Sequence, residues 1–140
     1  MNSLLKKYNI QISGNLAAKE TLVFAHGFGS EQTAWRWVLP AFQEKYRLVL
    51  FDLIGSSYLS RDDFNLQQYQ SLWDYAEDLI QIGDSLELEH SRLIAHSASC
   101  MIGALAALKR PTLWKSLVFI GASPRYLDQG DYLAVLKQKY

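Results

Sequence analysis

An apolar stretch, Arg92-Leu93-Ile94-Ala95, runs through His96 into Ser97 and then into Ala98 to Lys109, a nearly all-apolar segment rich in small residues. Few arrangements accommodate that order. The first stretch reads as a strand covered on both faces, as a parallel sheet requires, and the second as a helix packed tightly back against it. Their junction must be a sharp turn, which would lift the Ser97 hydroxyl above the end of the sheet. A serine set there reads as a nucleophile; the plain structural alternative is a helix N-cap, a position that also favours Ser. Ala95 and Ser99, two residues to either side, are small enough for the turn to close, although each carries a Cβ where glycine would leave more room.

Thr21 to His26, Tyr46 to Asp52 and Lys115 to Ile120 are further short apolar runs. With the stretch at 92–95 they predict strands buried on both faces of a parallel sheet. Asn9 to Ser13 alternates apolar and polar residues and stops at Gly14-Asn15, which predicts a half-exposed strand near a sheet edge. Helical patterns lie between. Gln32 to Lys45 carries Trp35, Val38, Leu39 and Phe42 on one stripe with a kink at Pro40; Leu72 to Leu86 and Ala98 to Lys109 supply two more. Arg61 to Gln70, with Asp62 and Asp63, reads as a polar surface loop. Strand and helix alternate, so the expected fold is α/β, with a mostly parallel sheet of about five strands flanked by helices. At 140 residues the chain is expected to form one domain, 1–140.

Fourteen Lys and Arg balance 14 Asp and Glu, so there is no electrostatic footprint for nucleic acid or an acidic membrane surface, and the expected partner is a small apolar or weakly polar ligand. The longest uninterrupted apolar run, Met101 to Leu108, falls far short of the ~20 residues of a membrane span. Met1 to Tyr8 carries charge without the apolar core of a signal peptide, so a cytoplasmic location is expected. Cys100 is the single cysteine and reads as a small buried hydrophobe. No cofactor and no metal is expected.

Four motifs in order carry a family likeness: Phe24-Ala25-His26-Gly27-Phe28-Gly29-Ser30, Val49-Leu50-Phe51-Asp52-Leu53-Ile54-Gly55-Ser56, Ile94-Ala95-His96-Ser97-Ala98-Ser99, and Val118 through Ser123-Pro124-Arg125-Tyr126-Leu127. From the first strand to about Asp131 the chain resembles the RsbQ-type α/β-hydrolases, relatives of the bacterial sigma-B stress regulator and of the plant karrikin and strigolactone receptors. In that fold the serine occupies a G-x-S-x-G turn between strand and helix, and here Ala95 and Ser99 stand at the two Gly positions. The resemblance implies a Ser-His-Asp hydrolase fold with a small apolar pocket under a helical cap, in proteins that hydrolyse or sense small ligands. It implies Ser97 as nucleophile and the main-chain N–H groups of Ala98 and Phe28 as oxyanion donors. Gly27 and Gly29 would let that loop turn sharply beside the substrate.

Three histidines are present. His26 reads as a structural residue fixing the oxyanion loop, His96 as pointing away from Ser97, and His90 as solvated. In α/β-hydrolases the acid and then the base follow the nucleophile, yet no histidine follows His96. The expectation is therefore a partial α/β-hydrolase fold without the cap and last strands. Its serine hydrolysis of a small ester-like or lactone-like ligand would be impaired by the absent triad Asp and His; the alternative is a non-catalytic remnant or sensor module. Asp128 and Asp131 read as solvated turn residues, and the likeness fades from Leu133 to Tyr140. The strand at 115–120 would leave an open apolar edge, which predicts self-association or a complementing chain.

Ala95 and Ser99, with the serines of Gly55-Ser56-Ser57, place side chains at three positions where relatives have glycine, which implies either a decayed site or a compensated local shift. Trp35, Trp37, Trp73 and Trp114 read as packing residues. Asp74, Glu77 and Asp78 read as the solvated side of a helix, and Asp52 as a cap for the loop after its strand. A different class, a dinucleotide-binding domain, rests on Gly27-Phe28-Gly29 after one strand and Asp52 at the end of the next, near the expected interval of ~20 residues. It lacks the third glycine and would set Glu31 close to phosphate.

Overall fold

A computed structural model describes residues 2–57, 61, 64–126 and 130–131; Asp62, Asp63, Asp128 and the stretch from Leu133 to Tyr140 lie outside the described residues. In chain order the elements are α1 (Asn2–Lys7), β1 (Gln11–Gly14), β2 (Thr21–Ala25), β3 (Arg47–Phe51), α2 (Leu72–Ser85), β4 (Ser91–His96), α3 (Ala98–Lys109) and β5 (Trp114–Ile120). The strands form one sheet in the order β1-β3-β2-β4-β5, with β1 antiparallel and the other neighbours parallel.

The period of two in the strands sorts their side chains between two apolar layers. Val23, Ala25, Val49, Phe51, Leu93 and Ala95 face one layer, which includes Ala76, Leu79, Ile80 and Ile82 from α2 and Cys100, Ile102 and Ala106 from α3. Leu22, Phe24, Leu48 and Leu50 face the other, where Trp35, Leu39 and Phe42 cover them. Each fully buried Leu, Val or Phe contributes roughly 1.5–3 kcal/mol, whereas a half-exposed ion pair such as Arg110 with Asp84 contributes about 0–1 kcal/mol. The layers therefore hold the fold, and no helix among the described residues is long and apolar enough to cross a membrane.

Three expectations change. The helix read over 32–45 is instead two short 3-10 turns, Gln32–Trp35 and Leu39–Ala41. Pro40 lacks the N–H and occupies the space that a continuous helix would need, while Trp35, Leu39 and Phe42 still reach the sheet. Helix α1 is too short to show a period in the sequence, yet the Tyr8 ring that follows it is buried. Strand β5 is not covered on both faces: Val118, Phe119 and Ile120 are 48, 39 and 44% exposed. The opposite sheet edge is β1, four residues long and exposed throughout, with Ile12 as its one large apolar residue.

Candidate active site

Strand β4 passes into helix α3 through one residue, Ser97, with φ 53° and ψ −124°. A non-glycine residue held there stores on the order of 1–3 kcal/mol of strain. Hydrogen bonds on both sides fix it: its N–H donates to Ile120 O (2.9 Å), and its carbonyl accepts from Cys100 N–H (2.9 Å) and from Tyr126 Oη (2.7 Å). Helix α3 sits so close to β4 that a Cβ at Gly103 would collide with Leu93. Ala95 and Ser99, the two replacements for glycine, are fully buried. The Ser99 hydroxyl donates to His26 O (2.5 Å), so its added polar atom is satisfied inside the fold.

The loop after β2 lies against this turn. A Cβ at Gly27 would stand 3.0 Å from Ser97 Cβ and 3.0 Å from His96 Nδ1, which leaves glycine as the residue that fits, and Gly29 takes φ 75°. His26 locks the loop from beneath: its Nδ1–H donates to Gly27 O (2.8 Å) and its Nε2 accepts Leu53 N–H (3.0 Å), which fixes a neutral tautomer. Ser56 Oγ donates to Leu53 O (2.6 Å), so this serine too is accommodated. Among the described residues neither Phe28 N–H nor Ala98 N–H donates to a protein acceptor; Ala98 opens α3, where the first amides have no intrahelical partner.

Burial holds the His26 imidazole below its ordinary value near 6.5, outweighing the nearby Gly27 carbonyl and the Asp52 carboxylate. The unfolded chain then binds the extra proton first. Stability from this residue is complete above about pH 6.5 and is lost as the pH falls through the lowered folded value. The urea midpoint is expected to drop between about pH 7.5 and about pH 5.5, and to drop less in His26→Gln; equal losses in both proteins would contradict the assignment.

Beside the turn opens a cleft of about 510 Å³ whose walls include Phe28, Leu72, Tyr75, Met101, Arg125 and Tyr126. Phe28 is half exposed at its rim. Its ring meets Tyr75 at 5.3 Å, Tyr75 meets Tyr69 at 4.9 Å, and Tyr69 stacks on Phe64 at 5.7 Å. The stretch read as a polar surface loop thus supplies a buried wall residue, Tyr69. Asp78 is likewise not solvated: it accepts from Tyr8 Oη (2.6 Å) and Tyr69 Oη (2.7 Å), and burial outweighs both donors to hold its carboxyl above the usual range. Asp74 does lie on the exposed side, where its carboxylate accepts Ser71 N–H (2.8 Å) at the start of α2.

The loop that carries Phe28 approaches Ser97 at Gly27, and Phe28 in turn lines the cleft, which no histidine among the described residues lines. His96 shares a second, smaller cleft of about 220 Å³ with Trp35, Val38 and Ile120, on the sheet face away from α3. Among the described residues the Ser97 hydroxyl has no hydrogen-bond partner, and Asp131 is exposed. Cys100 is buried, and burial pushes its thiol up. Trp35 and Trp114 pack as expected, but Trp37 and Trp73 are 81 and 47% exposed. Asp52 is not a ribose-binding carboxylate, because its two oxygens accept Gln32 N–H (2.9 Å) and Asn9 Nδ2 (2.7 Å). Tyr69 and Tyr75 were not singled out by sequence, since isolated aromatics carry no spacing that separates a cleft wall from a core; Tyr126 stood in the fourth motif without a role of its own.

Strained serine, glycine loop and parallel sheet can be set beside known proteins. Residues 20–136 match the family model described as alpha/beta hydrolase fold. Over 128 residues the chain is 41% identical to strigolactone esterase RMS3 of Pisum sativum, covering 91% of this chain and 47% of that protein. Karrikin insensitive 2 receptor CA of Petunia hybrida is 35% identical over 139 residues, covering 99% and 51%. The solved structure of olei00960, a hydrolase from Oleispira antarctica, superposes with a TM-score of 0.87 at 30% identity, over 98% of this chain and 50% of that one. The chain spans about half the length of the curated relatives it matches. With the family match running through β2, the serine turn and β5, the chain belongs to the alpha/beta hydrolase fold family.

Proposed function

We propose that this chain provides the nucleophile and the oxyanion donors of a serine hydrolase site for a small, weakly polar ester-like or lactone-like ligand. The observation that carries the reading is the strained Ser97 between β4 and α3, with two unengaged amides, Ala98 and Phe28, beside it. Strain kept at one residue by a surrounding net of hydrogen bonds is typical of a reacting position. The aromatic cleft suits a flat apolar ligand, and its volume of about 510 Å³ lies within the ~300–1,000 Å³ usual for small-molecule sites. A sensing role of the RsbQ type, in the cytoplasm, is the second reading. It is favoured by the aromatic wall of the cleft, where Tyr75 and Tyr69 stand beside Phe28, since ligand capture needs such a pocket but no general base. The test is hydrolysis of p-nitrophenyl acetate by the chain and by Ser97→Ala; equal rates would sink the catalytic reading.

The same proposal assigns a protein partner to the β5 edge, either a second copy or a chain that continues the sheet. Its support is the contrast between edges: β1 is four residues long with one large apolar residue, Ile12, whereas β5 is seven residues long and ends in exposed Val118, Phe119 and Ile120. Apolar edges of that kind pair readily. Sedimentation is expected to show concentration-dependent association that Val118→Lys with Ile120→Lys reduces. A wild-type chain that stays monomeric at every concentration would remove the second copy as the partner.

A further inference from the structure

We infer that Tyr126 is a positioning residue for the oxyanion donor Ala98, an inference that rests on the hydrolase reading above. The Tyr126 hydroxyl donates to the carbonyl oxygen of Ser97 at 2.7 Å and accepts the N–H of Ser123 at 3.3 Å. That carbonyl and the Ala98 N–H belong to one peptide unit. The unit is planar and trans, so its C=O and N–H point in opposite directions, and a hydrogen bond that holds the oxygen also aims the N–H. Withdrawing electron density at the oxygen further polarises the N–H, as successive bonds in a chain do. The chain of donors therefore runs from Ser123 N–H through the phenol and the Ser97–Ala98 peptide to the Ala98 N–H, which is free to meet a developing negative charge.

Strain gives this bond a second task. The peptide is attached to a residue at φ 53°, and a peptide plane beside a strained residue relaxes by rotating. Cys100 N–H on the same carbonyl resists rotation from the helix side and Tyr126 from the loop side. Tyr126 also lines the ligand cleft with Pro124 and Arg125, so the ring that touches the ligand is attached to the hydroxyl that sets the donor.

The experiment compares wild type with Tyr126→Phe, which keeps the ring and removes the hydroxyl. Phenylboronic acid serves as the tetrahedral probe: Ser97 Oγ adds to boron, its proton passes to water, and the resulting boronate anion presents an oxygen to the two amides. Benzamide serves as the flat probe that Ser97 does not add to. Tyr126→Phe is expected to lose about tenfold in boronate affinity, to bind benzamide as wild type does, and to shift the Ala98 amide nitrogen resonance upfield. A purely structural role would weaken both probes alike and would overturn the inference. So would an Ala98 resonance that does not move, or boronate bound by Tyr126→Phe as tightly as by wild type, and either result leaves the hydrolase reading standing. A wild-type chain that takes up no boronate at Ser97 overturns both.

Discussion

Ser97→Ala is expected to slow p-nitrophenyl acetate hydrolysis by at least about a hundredfold while leaving the melting curve in place. The rate should fall because the Ser97 hydroxyl, among the described residues, is the group at the strained turn able to form a covalent intermediate; the amides of Ala98 and Phe28 stabilise charge but do not attack. A residual rate is therefore expected, since oxyanion stabilisation alone retains part of the acceleration. Stability should change by no more than about 0.5 kcal/mol. The hydroxyl has no partner among the described residues, and alanine meets the same strain at φ 53° that serine does. A variant that loses activity by unfolding would melt early, so the two measurements together distinguish chemistry from folding.

Asp52→Ala is expected to cost about 3 kcal/mol, or roughly 10 °C in Tm. The carboxylate is 1% exposed and accepts Gln32 N–H at 2.9 Å and Asn9 Nδ2 at 2.7 Å, with His26 Nε2 3.8 Å away. Truncation leaves those donors without an acceptor in a site that water reaches poorly, and hydrogen bonds to charged groups are worth ~1.5–3 kcal/mol each. Asp52→Asn should lose less, because one carbonyl oxygen remains. Urea unfolding of the three proteins checks the order; an alanine variant within about 1 kcal/mol of wild type would show that the loop closes over the gap.

The centre of the sheet was legible because β2 and β3 are short continuous apolar runs whose burial on two faces leaves little room for polar residues, as Leu22 to Ala25 shows. The serine turn was legible for a related reason: a small-residue helix beginning straight after such a strand permits one sharp junction. What escaped the sequence depended on distant partners. Asp78 has the spacing of a solvated helix face, and the approach of Tyr8, seventy positions away, together with Tyr69 partly buries it. Tyr69 lies in a stretch without period and becomes a wall through stacking on Phe64 and contact with Tyr75. Pro40 was visible, but whether it kinks or ends a helix depends on how closely Trp35 and Phe42 must approach the sheet.

Ser99, where the usual turn carries glycine, is tied into the neighbouring loop. Its hydroxyl serves the carbonyl of His26, a residue that in turn holds Gly27 and Leu53. Glycine at 99 would withdraw a donor from the base of the oxyanion loop, so the usual residue of this turn is not a neutral replacement here. Any redesign of this turn has to supply another donor for that carbonyl, whichever side chain stands at 26.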